Sequence, residues 1–317
     1  FCESLHAMAN AMAPTSSSAS APFLHEVLDR ICIGQYLPDF KSTQKFRCFR
    51  PQTRLKYDGF CDDFGPMNFS ALVQFSHLIE EELRAFPSCR VVFAVDAGRR
   101  ELTNAVFLLG AYLILRREMQ TDDVLAIFSW LKESSLENFR DATFSQPDFL
   151  LTLKDCWRGL ECSKLQGWVS QPTLKTSAKW GMIDVDEYTH WDDPLNGDFH
   201  VVVPNKFIAF RGPKEMGAKL YTDTSGYRQF SPEYYSRIFR DLGVTTVIRL
   251  NETEYDAASF LASGIAHHDL HFDDCTAPPA HIVSRFLAIV DATEGVVAVH
   301  CKAGLGRTGT LIALYMM

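Results

Sequence analysis

Cys301 follows His300 directly and precedes Arg307 by six positions, with Lys302, Ala303, Gly304, Leu305 and Gly306 between them and Thr308 and Gly309 behind. A cysteine in such a setting is a nucleophile, and an arginine six residues on can fork onto two oxygens of one phosphoryl group. Thr308 is placed to donate a hydrogen bond to the sulfur and ease its departure. These residue types at this spacing suit covalent transfer of a phosphoryl group to sulfur. Gly304 and Gly306 let the loop from Lys302 to Gly306 aim its backbone N–H groups at one centre without Cβ clashes. A helix starting just behind adds the positive end of its dipole, and the same field favours the thiolate of Cys301. His300 is read as ordering the loop through its ring rather than as an acid. Charge is met by the loop and Arg307, so no metal and no cofactor is expected, and the histidines outside this region show no ligand spacing.

The reaction also needs a proton for the leaving oxygen and, later, a base for the hydrolytic water; one carboxyl group can serve both steps. The stretch from His268 to Pro278 offers Asp269, Asp273 and Asp274.

Positioning such a loop takes a strand before it and a helix after it. Val296–Val299 reads as a buried strand and Gly309–Tyr315 as a helix. Further strands are expected at Phe207–Phe210 and Thr245–Leu250, with helices over Ala280–Val290 and over Pro232–Leu242, the latter capped by Ser231 with proline in its first turn. Strands alternating with helices predict an α/β fold with a mostly parallel sheet. The first half repeats the order, with a strand at Cys89–Val95, the polar turn Asp96–Arg100 and a helix over Asn104–Arg116, but its loop holds no cysteine. Helices are also expected over Asp122–Lys132 and Phe149–Cys162. The acidic segment Asp184–Asp198 reads as a short linker helix closing in a turn at Pro194 and Gly197.

The chain has 317 residues, 47% of them hydrophobic, which is enough for two ordinary domains. A formal net charge of −8 argues against general binding to nucleic acid or anionic membrane and suits basic partners. The nine cysteines are odd in number and scattered, without zinc or redox spacing, which points to a reducing compartment. No apolar run reaches the ~20 residues that span a bilayer, so no membrane insertion is expected. The Ala-, Ser- and Met-rich start reads as a flexible tail over 1–23, has neither secretory nor transit-peptide character, and opens on Phe1 as an N-terminally cut chain would.

The pattern His-Cys-x5-Arg-Thr-Gly resembles the signature of cysteine-dependent protein phosphatases. The longer string Ala298–Leu311 is similar to one branch, the cell-division-cycle-fourteen dual-specificity phosphatases. So are Asp62–Asn68, Asn104–Tyr112, Phe139–Phe144, Asp184–Tyr188, Asn196–Phe199 and Arg249–Asn251, in that order. The resemblance covers roughly residues 24 to 317 and implies two tandem dual-specificity-phosphatase-like domains joined by a linker helix. The first, 24–180, would lack the nucleophile and shape the substrate groove; the acidic linker helix would cover 181–197, and 198–317 would be catalytic. It places the general acid on Asp274, 27 positions before Cys301, although Cys275 stands where the family has glycine, so that Asp273 stays a rival and Asp269 a distant one. It implies phosphoprotein substrates with phosphoserine-proline sites and a downstream basic residue, met by a groove whose acids map to Asp192 and Asp198, with Thr189 at a third position near Asp186, Glu187 and Asp193. Leu305, where phosphoinositide phosphatases often carry a second lysine, fits a single phosphomonoester on a peptide, with Lys302 as the one loop lysine. The alternatives are a phosphoinositide phosphatase and a phosphoprotein-binding scaffold with little turnover. A role in mitotic exit and a cytoplasmic or nuclear address (nucleolus, centrosome or spindle) come from the resemblance alone. It also implies a chain cut short at Met317, with further helices beyond it that bury Leu311, Ile312 and Leu314 and carry a glutamine for the hydrolytic water.

Overall fold

The computed structural model describes residues 22–317 apart from 38, 58, 60–61, 142–145, 148, 173–178 and 225–226. Most of the expected tail (1–21) and positions 142–144 of one motif therefore lie outside the described residues. The chain divides into two compact units between Val185 and Asp186.

In the first unit, β1 (Phe23–Leu28), β2 (Ile31–Gln35), β3 (Phe46–Phe49) and β4 (Arg90–Val95) form one sheet in the order β1-β2-β4-β3. Its β2–β4 and β3–β4 pairs are parallel and β1–β2 is antiparallel. Helix α1 (Phe69–Ala85) starts at Asn68, whose side chain accepts from the Ala71 N–H. Helix α2 (Arg99–Arg116) is buried at every position from Leu102 to Leu115, as befits a helix apolar all round. A Cβ on Gly110 would run into the Trp157 ring, and this close approach lets Trp157 Nε1 donate to the Phe107 carbonyl at 3.2 Å.

Two expected helices are shorter than the sequence pattern suggests. Helix α3 spans Thr121–Ile127, because the Ser129 hydroxyl takes the Ala126 carbonyl and Trp130 leaves the helix to stack on His25 at 4.0 Å. Helix α4 spans Leu153–Leu165, because Thr152 and Asp155 form a reciprocal cap there. The residues before it instead pair as strands, β5 (Phe139–Arg140) with β6 (Leu150–Leu151). A last small hairpin joins β7 (Lys179–Trp180) to β8 (Ile183–Asp184), and α5 (Val185–Asp192) begins at the division between the units.

The second unit is built on a five-stranded sheet. With β9 (Phe199–Val203), β10 (Phe207–Phe210), β13 (Val244–Arg249), β14 (Ala266–Asp269) and β15 (Val296–His300), its order is β14-β13-β15-β10-β9. All pairs are parallel except β9–β10. A hairpin of β11 (Tyr221–Thr224) and β12 (Tyr227–Phe230) stands apart from it.

Period-two alternation splits the side chains between two cores. Ile208, Phe210, Val247 and Ala298 pack with Phe239 of α6 (Pro232–Asp241) and Phe260 of α7 (Ala258–Leu261). Phe207, Ile248, Val297, Val299 and Cys301 pack on the other face with Ile282 and Phe286 of α8 (Ala280–Ala292) and with Leu311 and Ile312 of α9 (Gly306–Met316). Leu311 and Ile312 are thus covered within the described residues, while Leu314 is exposed.

Candidate active site

Cys301 is the first residue past β15, and the strand's alternation buries its side chain beside Val297 and Val299. Directly afterwards the chain turns through Lys302–Leu305 and enters α9 at Gly306, three residues earlier than the sequence pattern indicates. Gly304 makes that turn possible. Its φ is +76°, and a Cβ there would meet the Phe210 carbonyl oxygen at the end of β10. Gly306 differs: nothing lies within 4 Å of where its Cβ would be, so the expected need for two glycines reduces to one. A second glycine requirement lies behind the loop, at Gly212, where a Cβ would run into the Cys301 carbonyl and the N–H donates to the Lys302 carbonyl at 3.2 Å.

Among the described residues, the backbone N–H groups of Lys302, Ala303, Gly304 and Leu305 make no hydrogen bond. Four donors in succession, followed by a helix N-terminus, are the means of holding a multiply charged oxyanion. Lys302 and Leu305 are exposed, and Lys302 Nζ stands 4.0 Å from Glu252 Oε1. The Glu252 carboxyl is held below the ordinary glutamate range, first by a hydrogen bond from its own backbone and then by the charges of Lys302 and Arg307.

Arg307 and Thr308 sit in the first turn of α9, both buried. Arg307 Nη1 donates to the Phe272 carbonyl at 3.0 Å, and Nε lies 3.3 Å from Asp274 Oδ1. The arginine side chain is 4% exposed and the aspartate 66%, so a buried cation meets a carboxylate that faces solvent. The structure therefore brings Asp274 to Arg307. Asp269 is engaged elsewhere: both its oxygens accept from Arg249, Nε at 2.6 Å and Nη2 at 3.1 Å. Asp273 contributes its backbone carbonyl to Thr276 and is exposed. Cys275 has a φ of +57°, so the turn keeps the left-handed conformation that suits glycine although a cysteine occupies it. The expected bond from Thr308 to the sulfur is not formed; Thr308 Oγ1 is buried without a hydrogen-bond partner.

His300 faces the opposite side of the sheet from Cys301. Its Nδ1 lies 2.9 Å from the Cys301 carbonyl and its Nε2 2.7 Å from the Tyr255 hydroxyl, which in turn lies 2.8 Å from His267 Nε2. A carbonyl only accepts, so His300 Nδ1 carries the proton and its Nε2 accepts from Tyr255; the tyrosine oxygen then accepts from His267 Nε2–H. Burial lowers His300 to about 3 and His267 to about 4 and pushes the Tyr255 hydroxyl far above its ordinary value. The chain is neutral and directional, and it ends on the carbonyl of Cys301.

Both acids expected in the substrate groove have partners of their own. Asp192 Oδ1 is 2.5 Å from His200 Nε2, and Asp198 Oδ2 accepts from Arg211 Nη1 at 3.2 Å. No cluster of three or more metal-ligating side chains occurs among the described residues. Tyr255, His267, Arg249, Glu252 and Gly212 are additions to the site that sequence spacing alone does not reveal; their only sequence trace is that Arg249 and the nearby Asn251 lie in a family-like string.

Known proteins are similar to this chain over most of its length. A family model described as "Dual specificity protein phosphatase, N-terminal half" matches residues 26–163, and one described as "Polymorphic toxin system, DSP-PTPase phosphatase" matches 217–317. The human "Dual specificity protein phosphatase CDC14C" is 36% identical over 296 residues, covering 92% of this chain and 63% of the relative. The human "Dual specificity protein phosphatase CDC14A" is 38% identical over 280 residues, covering 87% of this chain and 45% of the relative. The Caenorhabditis elegans "Tyrosine-protein phosphatase cdc-14" is 38% identical over 291 residues, covering 87% and 38%. This chain thus spans less than two thirds of the length of these relatives. Among solved structures, P. aeruginosa TpbA is 22% identical with a TM-score of 0.29, over 39% of this chain and 64% of that one.

Proposed function

We propose that this chain is a CDC14-type dual specificity protein phosphatase, as its similarity to such relatives supports, and that it hydrolyses phosphoserine, phosphothreonine and phosphotyrosine in proteins through a phosphocysteine intermediate. The observation that carries the reading is the buried Arg307 guanidinium, which meets the exposed carboxylate of Asp274 at 3.3 Å directly behind a loop whose backbone amides have no partner among the described residues. In the first step the Cys301 thiolate attacks phosphorus, an S–P bond forms, the P–O ester bond breaks, and the leaving oxygen takes the proton of Asp274. In the second, water attacks phosphorus, its proton returns to Asp274, the S–P bond breaks, and inorganic phosphate and thiolate are released. Arg307 and the loop amides hold the three non-bridging oxygens throughout.

A preference for Ser-Pro sites and a role in mitotic exit are supported by kinship alone, as is a cytoplasmic or nuclear address. The support for selecting a downstream basic residue is the acidic run around α5. Because Asp192 and Asp198 have internal partners, a substrate lysine would compete with His200 and Arg211, and the selection is at most a few-fold. The test is phosphate release from a phospho-Ser-Pro peptide with and without a downstream lysine, a phosphotyrosine peptide and a phosphoinositide, each beside Cys301→Ser. Turnover of both peptides that Cys301→Ser abolishes supports the reading. Turnover confined to the phosphoinositide, or binding of peptide without release, would overturn it.

A further inference from the structure

We propose that the cleft at the C-terminal end of β4, in the unit without a nucleophile, binds an arginine- or lysine-type cation, an N–H-rich head on an apolar stem. Asp96 directly follows β4 just as Cys301 directly follows β15. The turns then diverge. Helix α2 begins three residues after Asp96, at Arg99, whereas α9 begins five after Cys301. The shorter turn leaves no room for a ring of backbone donors, and the space over Gly98, where a Cβ would go, is filled by the Glu101 carboxylate at the helix N-terminus. An anion is therefore excluded where the other unit invites one.

What remains is a cleft of about 390 Å³, within the usual range for ligand sites, walled by apolar side chains such as Met67, Phe93 and Leu108. Gln52 and Asn104 line it. Each spends its amide N–H on a backbone carbonyl, Gln52 on Ala94 at 2.7 Å and Asn104 on Gly65 at 3.4 Å, which fixes the other end of each amide as oxygen. Gln52 Oε1 and Asn104 Oδ1 are both buried and have no partner, and Asn104 as a whole is only 8% exposed. Two buried acceptors without donors are costly to leave empty-handed. The carboxylates of Asp63, Asp96 and Glu101 line the same cleft, Asp63 accepting from the Tyr57 hydroxyl at 2.6 Å and Asp96 standing 3.6 Å from Arg50 Nη1. Its two cations weigh less: Arg100 is bonded to Glu137 at 2.7 Å and Asp62 at 2.9 Å, and Lys56 is exposed. The surplus is of acceptors and negative charge above apolar walls, so the complementary ligand brings N–H donors and positive charge on methylenes. The source is either a free amine such as agmatine or the side chain of a peptide.

The test is calorimetric titration of the whole protein with agmatine, with acetylated and amidated glycyl-arginyl-glycine, and with inorganic phosphate. Saturable agmatine binding in the millimolar range or tighter is expected. It should be weakened about tenfold or more by Asn104→Leu and by Gln52→Met, the latter being close enough in shape to stay folded if the former does not. Cys301→Ser should leave it unchanged, which separates this site from the phosphatase reading. Equal binding of the tripeptide assigns a peptide source, and binding of agmatine alone a free cation. No saturable binding, binding indifferent to both cleft substitutions, or displacement of agmatine by phosphate would each overturn the proposal.

Discussion

Asp274 and Arg307 meet across a 3.3 Å ion contact between an exposed carboxylate and a buried guanidinium, and the proposed reaction gives each a separate task. Asp274→Asn should reduce kcat by about 10²–10⁴-fold on alkyl phosphates and much less on esters with acidic leaving groups; equal losses on both would remove Asp274 from the acid's role. Arg307→Lys keeps the charge but loses the fork and the bond to Phe272, and a fall in kcat/KM of roughly 10²–10³-fold is expected. Cys275 presents a different question. A left-handed φ costs an ordinary residue about 1–2 kcal/mol, part of which glycine returns as unfolded-state entropy, so Cys275→Gly should raise stability by less than ~1 kcal/mol in urea titration. A clear loss would mean that the thiol makes a contact of its own.

At the scale of elements, the path from β15 through the loop to α9 is supported from behind. Gly304→Ala would force a Cβ into the Phe210 carbonyl at a positive φ, and a loss of about 1–3 kcal/mol is expected together with a drop in turnover. The chain His267–Tyr255–His300 gives the second unit a pH signature. Both imidazoles have folded values below the ordinary 6.5, so between about 6.5 and about 4 the unfolded chain binds protons that the folded one refuses. Stability therefore falls as pH falls through that window, by roughly 1.4 kcal/mol per unit for each imidazole. Urea unfolding at pH 7 and pH 5 checks this, and His267→Gln should make the slope shallower; an identical slope would show that His267 is not neutral in the fold. The residues forming this chain explain what the sequence hides. The thiol, the arginine and the Gly304 turn are legible because they fall within seven consecutive residues flanked by an apolar strand and a helix. Tyr255 and His300 are 45 positions apart, Arg249 and Asp269 are 20, and no local period links either pair. The strands β1–β3 and the hairpin β11–β12 were equally opaque, being short and specified by their pairing partners. Thr152 shows the reverse case, a local cap that overrides an apolar pattern extending back to Phe149.

Taken whole, the molecule applies one strand–turn–helix plan twice and places a carboxylate, Asp96, where the other copy has the thiol of Cys301. Cys301→Ser should consequently leave no residual turnover on any phosphoester; a slow remaining activity would require a second reactive centre. The bond from Arg307 to Phe272 has a consequence of its own. A guanidinium has five N–H donors, and here one already reaches the strap that carries Asp274. Strap and cysteine loop thereby share a single side chain as their pivot. A dead-end oxyanion such as vanadate, by immobilising the pivot, should slow amide hydrogen exchange across Phe272–Thr276 in proportion to occupancy. In Arg307→Lys the same segment should exchange alike with the anion present or absent.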